Sequence, residues 1–359
     1  REATVAPSTW TLFRLWRFAR PYRWQLILGF ALTLASTAAT LVPPYLTMPL
    51  MDEVLIPFQN GKPIDWPLVS MYLGGLFGAA TSRSAEPEVP ACESTASGDL
   101  RLHALESRIF GNTRTIRVLL PPGYDAVGNA QKRYPVLYLL DGQNLFDTCT
   151  NEFNHQEWGV DETVQRLVGE GRIAPLIVVG IDHAGKDRGH EYLPYRDLVG
   201  NPDMPEPAGK RFPDFLAGEV LPLVDGKYRT LQGLPHTGIG GSSYGGAAAL
   251  YALMARPFIF GHGLIESPTM WIGMGQLVRD TSPLVAMPRR VFVAFGGKES
   301  EDAAGSALMI GLVRQVETNF RAAGHGERSF RLVIEPEARH SEPDWARRLP
   351  GALEFLYGE

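Results

Sequence analysis

The residues whose types and spacing could do covalent chemistry begin at Gly241-Ser242-Ser243-Tyr244-Gly245, a G-x-S-x-G pattern inside the run IGGSSYGG. That pattern suits a serine held at a sharp strand-to-helix turn, where backbone passes so close that the flanking positions cannot carry side chains. Two serines compete. Ser243 has glycine two residues before and two after it; Ser242 has Gly240 before it but Tyr244 after it, so the spacing selects Ser243. A serine hydroxyl is a weak nucleophile until a neighbouring base takes its proton. The chemistry on offer is attack on an acyl carbon, with a histidine as base and a carboxylate to orient it. A helix starting at Gly245 would aim its N-terminus at the serine, where partial positive charge favours an oxyanion.

The chain holds eight histidines. If the order is nucleophile, acid, base, only His340 follows the last expected strand, in a loop ahead of a final helix. His325 precedes that strand and is expected to cap a helix or face solvent. The acid should follow a strand at 291–295, where the sequence reads FGGKESED. Glu299, Glu301 and Asp302 are candidates there, and Glu299 is preferred. The other reading of these acids is the solvated start of a helix, and a Ser-His pair without a strong third member is an alternative. After a strand at 136–140 comes Asp141-Gly142-Gln143-Asn144. Gly142 would permit close backbone approach, and Gln143 is the expected donor of one backbone N–H to the oxyanion. Tyr244, the residue after the nucleophile, would supply the other. Taken alone, the Asp-Gly pair reads equally well as a tight turn.

These groups need a framework. Short apolar runs predict strands at 115–120, 136–140, 176–181, 237–240, 291–295 and 330–334. Amphipathic runs predict helices at 160–169, 212–224, 245–255, 303–323 and 343–356. Alternating strands and helices make an α/β fold with a mostly parallel central sheet, and several strands are apolar throughout, as suits strands covered on both faces. In such sheets ligands bind beyond the C-terminal strand ends, which is where every residue above falls.

The chain has 359 residues, 45% hydrophobic and 20% charged, a globular composition sufficient for about two domains. The formal charge is −5, yet residues 1–80 carry six Lys and Arg against four Asp and Glu, so the negative charge resides in the remainder. Nothing is basic enough to suggest nucleic acid. Cys92 and Cys149 are too few for a disulfide framework, and two ordinary thiols are expected in preference to one optional disulfide. No metal-ligand spacing occurs, so neither metal nor organic cofactor is expected. The first residue is Arg1, as in a fragment or a processed chain.

Residues 25–51 contain no charged residue, a length that would span a bilayer. Arg14, Arg17, Arg20 and Arg23 precede this stretch, interleaved with Trp16, Phe18, Tyr22 and Trp24, which points to a cytoplasmic N-terminus and to membrane association through residues 24–51. The alternative is a buried helix of a soluble domain. A second apolar run, 67–80, is short for a span. With one span the C-terminal part lies outside the cytoplasm, in a periplasmic or similar compartment; with two it returns inside. Residues 81–98, rich in Ser, Ala, Glu and Pro, read as a linker. The expected organisation is a hydrophobic helical segment at 1–80, this linker, and a catalytic domain at 99–359.

Residues 1–75, through FRLWRFARPYRWQL and PPYLTMPLMDEVLIP, resemble the start of an ABC-exporter membrane domain. No G-x-x-x-x-G-K-[ST] phosphate loop occurs, so transport does not follow. From about residue 97 the pieces RTIRVLLPPGYD, RYPVLYLLDGQNLFD, EWGVDE, LIVVGID, HEYLPYRD, GEVLPLVDGKYRT, IGGSSYGG, FGGKES and RHSEPDWARRLPGALEFL run in order. Together they resemble the putative-esterase family of α/β hydrolases, which includes enterochelin-type siderophore esterases, feruloyl and acetyl-xylan esterases and esterase D. The resemblance implies an α/β-hydrolase fold with Ser243 as nucleophile, His340 as base and Glu299 as acid, and Trp158 and the region around Arg196 flanking the pocket. It implies hydrolysis of carboxylic esters through an acyl-enzyme, on siderophore lactones, hydroxycinnamoyl or acetyl sugars, or short-chain esters. The rival readings are a transport component of exporter type and a non-catalytic binding module on a hydrolase scaffold.

Overall fold

The computed structural model describes residues 66–81, 92–152, 156–282 and 288–358. The chain divides into two units between Ala91 and Cys92. In the first, the apolar run at 67–80 forms helix α1 (Trp66–Thr81). Among the described residues no helix is long and apolar enough to cross a membrane, and the charge-free stretch at 25–51 lies outside them.

The second unit is built on an eight-stranded sheet in the order β1-β2-β4-β3-β5-β6-β7-β8. Strands β1 (Asp99–Glu106) and β2 (Thr113–Leu120) pair antiparallel, and β2 runs antiparallel to β4 (Ile177–Ile181). From there β3 (Val136–Leu140), β5 (Thr237–Ser242), β6 (His262–Glu266), β7 (Arg290–Gly296) and β8 (Phe330–Glu335) continue parallel. Every residue of β3 and β4 is buried, as the unbroken runs VLYLL and IVVGI require. Two strands go beyond those expected. β1 alternates polar and apolar residues along a sheet edge, and β6 carries His262 and Glu266 at its ends, so neither reads as a continuous apolar run.

Helices cover both faces. They are α2 (Val160–Gly169), α3 (Arg188–Tyr192), α4 (Phe212–Phe215), α5 (Leu221–Lys227), α6 (Tyr244–Ala255), α7 (Ile272–Asp280), α8 (Ala303–Ala322) and α9 (Glu342–Tyr357). A π-helical turn, Leu216–Val220, joins α4 to α5 where one helix was expected. One core holds Tyr138, Ile239, Ala248 and Phe320; the other, on the opposite face, holds Leu137, Leu139, Trp158 and Leu353. The alternation of Leu137, Tyr138 and Leu139 between the two cores is the period-two signature of a central strand.

Two expectations are corrected here. Cys92 and Cys149 are not free thiols but form a disulfide, with Cα atoms 5.6 Å apart. Sequence gives no measure of that proximity, because the two lie 57 residues apart. The bond belongs to a strap along the loop after β3. Ser94 Oγ donates to Asp147 Oδ2 at 2.6 Å, and Ser97 donates to Asp161 Oδ2 from its backbone N at 2.6 Å and its Oγ at 2.9 Å. The end of the linker-like stretch is thus fixed onto the second unit. His325 does not face solvent: it is buried against the rings of Phe320 and Phe330, and burial lowers its pKa.

Two outcomes follow for stability. Cys149→Ser should lower unfolding free energy in urea by about 2–4 kcal/mol, and excess reductant should bring the wild type down to the variant; coincident curves without reductant would contradict the strap's role. His262 is buried against Tyr357, and desolvation pulls its pKa down to about 4 from 6.5. The unfolded chain therefore binds the extra proton first. Stability is full above about pH 6.5 and falls as pH drops towards 4. His262→Gln should flatten the stability–pH slope across that window, measured by denaturant midpoints; an unchanged slope would reject this source.

Candidate active site

Strand β5 ends in the Gly241-Ser242-Ser243 run, and α6 begins at the next residue. Ser243 has φ 58° and ψ −124°, a region that residues with a Cβ rarely occupy. Sterics account for the flanking glycines. A Cβ on Gly241 would lie 2.9 Å from the carbonyl carbon of Gly245, and one on Gly245 would lie 2.7 Å from Asp141 Oδ2. The turn is held from both sides. Ser243 N–H donates to the Glu266 carbonyl at 3.1 Å, and the Ser243 carbonyl accepts from Ala247 N at 3.1 Å and Thr269 N at 3.2 Å. Ser242 is buried, whereas Ser243 is only half-buried.

His340 sits between β8 and α9, with its side chain 36% exposed. Its Nδ1 lies 2.9 Å from Glu299 Oε2, and its ring meets Trp345 edge-on at 5.1 Å. Glu299 follows β7, and its side chain is buried. Its other oxygen accepts from Ser267 Oγ and from Gly296 N, each at 2.5 Å. Of the three candidate acids, only Glu299 pairs with His340. Asp302 accepts from Gly305 N at 2.7 Å as the N-cap of α8, and Glu301 is exposed. Ser243 and His340 line one cavity of about 320 Å³, together with Asp141, Asn144, Arg188, Ser242, Glu342 and Trp345.

The loop after β3 reaches this cavity through Asp141 and Asn144. Asp141 has φ 60°, and its carboxylate accepts from Arg188 Nε at 2.6 Å and Nη2 at 2.8 Å. The guanidinium of Arg188 lies over the rings of Tyr192 and Tyr244. Gly142 and Gln143 belong to a buried 3-10 turn. A Cβ on Gly142 would lie 2.6 Å from Asp182 Oδ1, so the glycine lets the turn pack on the end of β4. The Gln143 side chain points away, accepting from His183 N at 3.1 Å, so a role for this residue at the cavity falls to its backbone. Tyr244 opens α6, where backbone N–H groups have no acceptor inside the helix.

Two residues expected to flank the pocket lie elsewhere. Trp158 is buried in the core behind the wall, its ring 5.7 Å from that of Trp345, and its backbone N–H donates to the Asn144 carbonyl at 3.1 Å. Arg196 donates to the carbonyls of Pro202 and Met204, each at 3.2 Å, and so braces its own loop. Its neighbour Asp197 is the residue tied to the site, accepting from Tyr244 Oη at 2.7 Å and Trp271 Nε1 at 2.9 Å. Sequence reasoning missed Asp141, Arg188, Ser267, Glu342 and Trp345. Only position was available as a signal, since each lies at a strand end or in the helix that follows a strand. Among the described residues no group of three His, Cys, Asp or Glu could hold a metal ion.

Residues 107–356 match the family described as Putative esterase. An uncharacterized protein of Bacillus subtilis, YbbA, is 25% identical over 270 residues, covering 71% of this chain and 97% of its own length. The endo-1,4-beta-xylanase/feruloyl esterase of Xylanibacter ruminicola is 26% identical over 276 residues, 72% of this chain but 31% of that protein. Among solved structures, the IroE-like serine hydrolase from Shewanella oneidensis has a TM-score of 0.58 at 23% identity, covering 72% of this chain and 80% of that one, a likeness of fold. The family match starts at residue 107 and lends no support to the exporter-like reading of residues 1–75. Running from the turn before β2 to the final helix, the match establishes that the chain belongs to the putative-esterase family of carboxylic ester hydrolases and is a serine esterase.

Proposed function

We propose that Ser243, His340 and Glu299 carry out ester hydrolysis by acyl transfer. His340 takes the Ser243 proton through the ring nitrogen not bonded to Glu299, and the serine oxygen attacks the ester carbonyl. The tetrahedral oxyanion is met by backbone N–H groups, from Tyr244 at the start of α6 and from the loop 141–144, with Gln143 as the second donor. Collapse expels the alcohol, which takes the proton from His340. Water then attacks the acyl-enzyme by the same route and frees the acid and Ser243. Glu299 orients the ring and stabilises the imidazolium. The observation that carries this reading is the 2.9 Å pair between His340 and Glu299 in a chain whose His340 and Ser243 share one cavity.

The substrate we favour is a compact ester with a hydroxylated aromatic acyl group, of the hydroxycinnamoyl class. The Xylanibacter ruminicola protein, of which 31% aligns, is named endo-1,4-beta-xylanase/feruloyl esterase, and the cavity wall mixes the Trp345 ring with Asp141, Asn144, Arg188 and Glu342, groups suited to a ring bearing hydroxyls. Siderophore lactones, acetyl sugars and short-chain esters are the competing substrates. The disulfide supports an oxidising compartment for the second unit.

An ester panel tests both levels. Methyl ferulate should be turned over with higher kcat/KM than p-nitrophenyl laurate, and Ser243→Ala should lose at least about 10³-fold in kcat on every active ester. Turnover persisting in Ser243→Ala would overturn the nucleophile; a preference for long acyl chains would overturn the substrate class. Glu299→Gln should lower kcat by about 10²–10⁴-fold, with Glu301→Gln near wild type. Equal losses in the two would reject Glu299 as the acid.

A further inference from the structure

Resting on the triad reading above, we infer that Ser267 is a positioning residue for the reaction, its hydroxyl locking the carboxylate of Glu299 against His340 and coupling it to Trp345. Ser267 is buried, follows directly on β6 and has φ 42°, one of the few left-handed non-glycine conformations among the described residues. Such a conformation costs energy and persists where surrounding contacts enforce it. Its backbone N–H donates to the Ala294 carbonyl of β7 at 2.8 Å, fixing the residue to the neighbouring strand.

The hydroxyl makes two directed bonds. It donates to Glu299 Oε1 at 2.5 Å and accepts from Trp345 Nε1 at 2.8 Å. An indole N–H is only a donor and an ionised carboxylate only an acceptor. A hydroxyl between them has its direction set: it must accept from the first and donate to the second. Oε1 also accepts from Gly296 N. With two donors on Oε1, the carboxylate cannot rotate, and Oε2 is left facing His340 Nδ1 at 2.9 Å. Trp345 closes the circuit, because its ring meets the His340 ring edge-on at 5.1 Å. The chain 340–345 thus grips Glu299 twice, once through the imidazole and once through the indole and Ser267.

The backbone conformation supplies the control. Glycine adopts φ 42° without strain, so Ser267→Gly removes the hydroxyl while relieving the turn. Kinetics on p-nitrophenyl butyrate would compare the full chain with Ser267→Gly, Ser267→Ala, Ser267→Cys, Trp345→Phe and Glu299→Gln, alongside thermal midpoints. The expected result is that Gly and Ala lower kcat about tenfold or more with KM within twofold, that Cys recovers part of the loss through its weaker donor, and that Trp345→Phe shows a smaller loss. The pH dependence of kcat/KM should shift on its acidic side in the Ser267 variants and in Trp345→Phe. If Glu299→Gln is impaired while every folded Ser267 variant and Trp345→Phe match wild type in kcat and pH profile, the positioning role is wrong and the triad stands. If Glu299→Gln retains wild-type kcat, the acid assignment fails and takes this inference with it. Should the Ser267 variants not fold, Trp345→Phe decides alone: an unshifted pH profile and unchanged kcat would reject the role.

Discussion

The backbone reversal at Ser243 is the constraint on which the rest of this active site depends. A residue with a Cβ is held at φ 58° only because close packing leaves it no alternative. Gly241 and Gly245 nearly touch across the turn, and Gly246 packs on the Glu266 carbonyl, 2.8 Å from where its Cβ would be. The same carbonyl accepts the Ser243 N–H, and Thr269 N–H bonds the Ser243 carbonyl. The segment from Glu266 to Thr269 therefore clamps the turn from outside. It is also the segment that carries Ser267. Distortion of this one stretch would reach both Ser243 and, through Ser267, Glu299.

A second buried tie joins that clamp to the histidine. Glu266 is fully buried and accepts from Arg348 Nη2 at 2.8 Å and Nε at 3.1 Å. Burial pushes the carboxyl up to about 7, while the guanidinium of Arg348 opposes that rise. A buried pair of this kind contributes little net stability, but loss of one partner strands a charge and costs about 3–5 kcal/mol. Its structural effect is to fasten α9, the helix directly after His340, to the end of β6. On the cavity side, Arg188 is enclosed between two tyrosine rings and bonded to Asp141. The wall facing the serine is thus polar yet rigid, which suits directed hydrogen bonding to a substrate more than adaptable apolar contact.

The parts legible in the sequence are those whose chemistry is local. The glycines around Ser243 reveal the turn because the clash that demands them lies within a few residues. The alternative reading of the acids after β7, as the solvated start of a helix, fits Asp302, which caps α8. The apolar runs reveal β3 and β4 because those strands are covered on both faces. What stayed hidden depends on distant partners. His262 and Glu266 make β6 look polar, yet both are buried, one stacked on Tyr357 and the other paired with Arg348. Trp158 looked like a pocket residue, but its place is set by Trp345, far along the chain. The Cys92–Cys149 bond is the extreme case, since two cysteines carry no information about their separation in space. Ser267 escaped notice because a serine beside a glutamate has no signature until Trp345 and Glu299 are seen to bracket it.

The order of the strands explains why four groups gather at one edge of the sheet. β5, β6, β7 and β8 lie side by side, and Ser243, Ser267, Glu299 and His340 follow them in that order. Parallel strands sit about 4.8 Å apart, so the outer two of the four are separated by about 14 Å at the sheet. A histidine after β8 can share a cavity with a serine after β5 only if its loop bends back across β7 and β6. Glu299, at the end of β7, is the point over which the loop turns, and a glutamate has the length to meet the imidazole above the sheet. β6 lies between β5 and β7, and the position directly after its last residue faces Glu299. Ser267 occupies that position and joins Glu299 to the indole of the returning helix. The groups after β6, β7 and β8 thereby join in one hydrogen-bonded path beside the cavity that holds Ser243, and parallel strand order converts nearly a hundred residues of sequence separation into adjacent places along one edge.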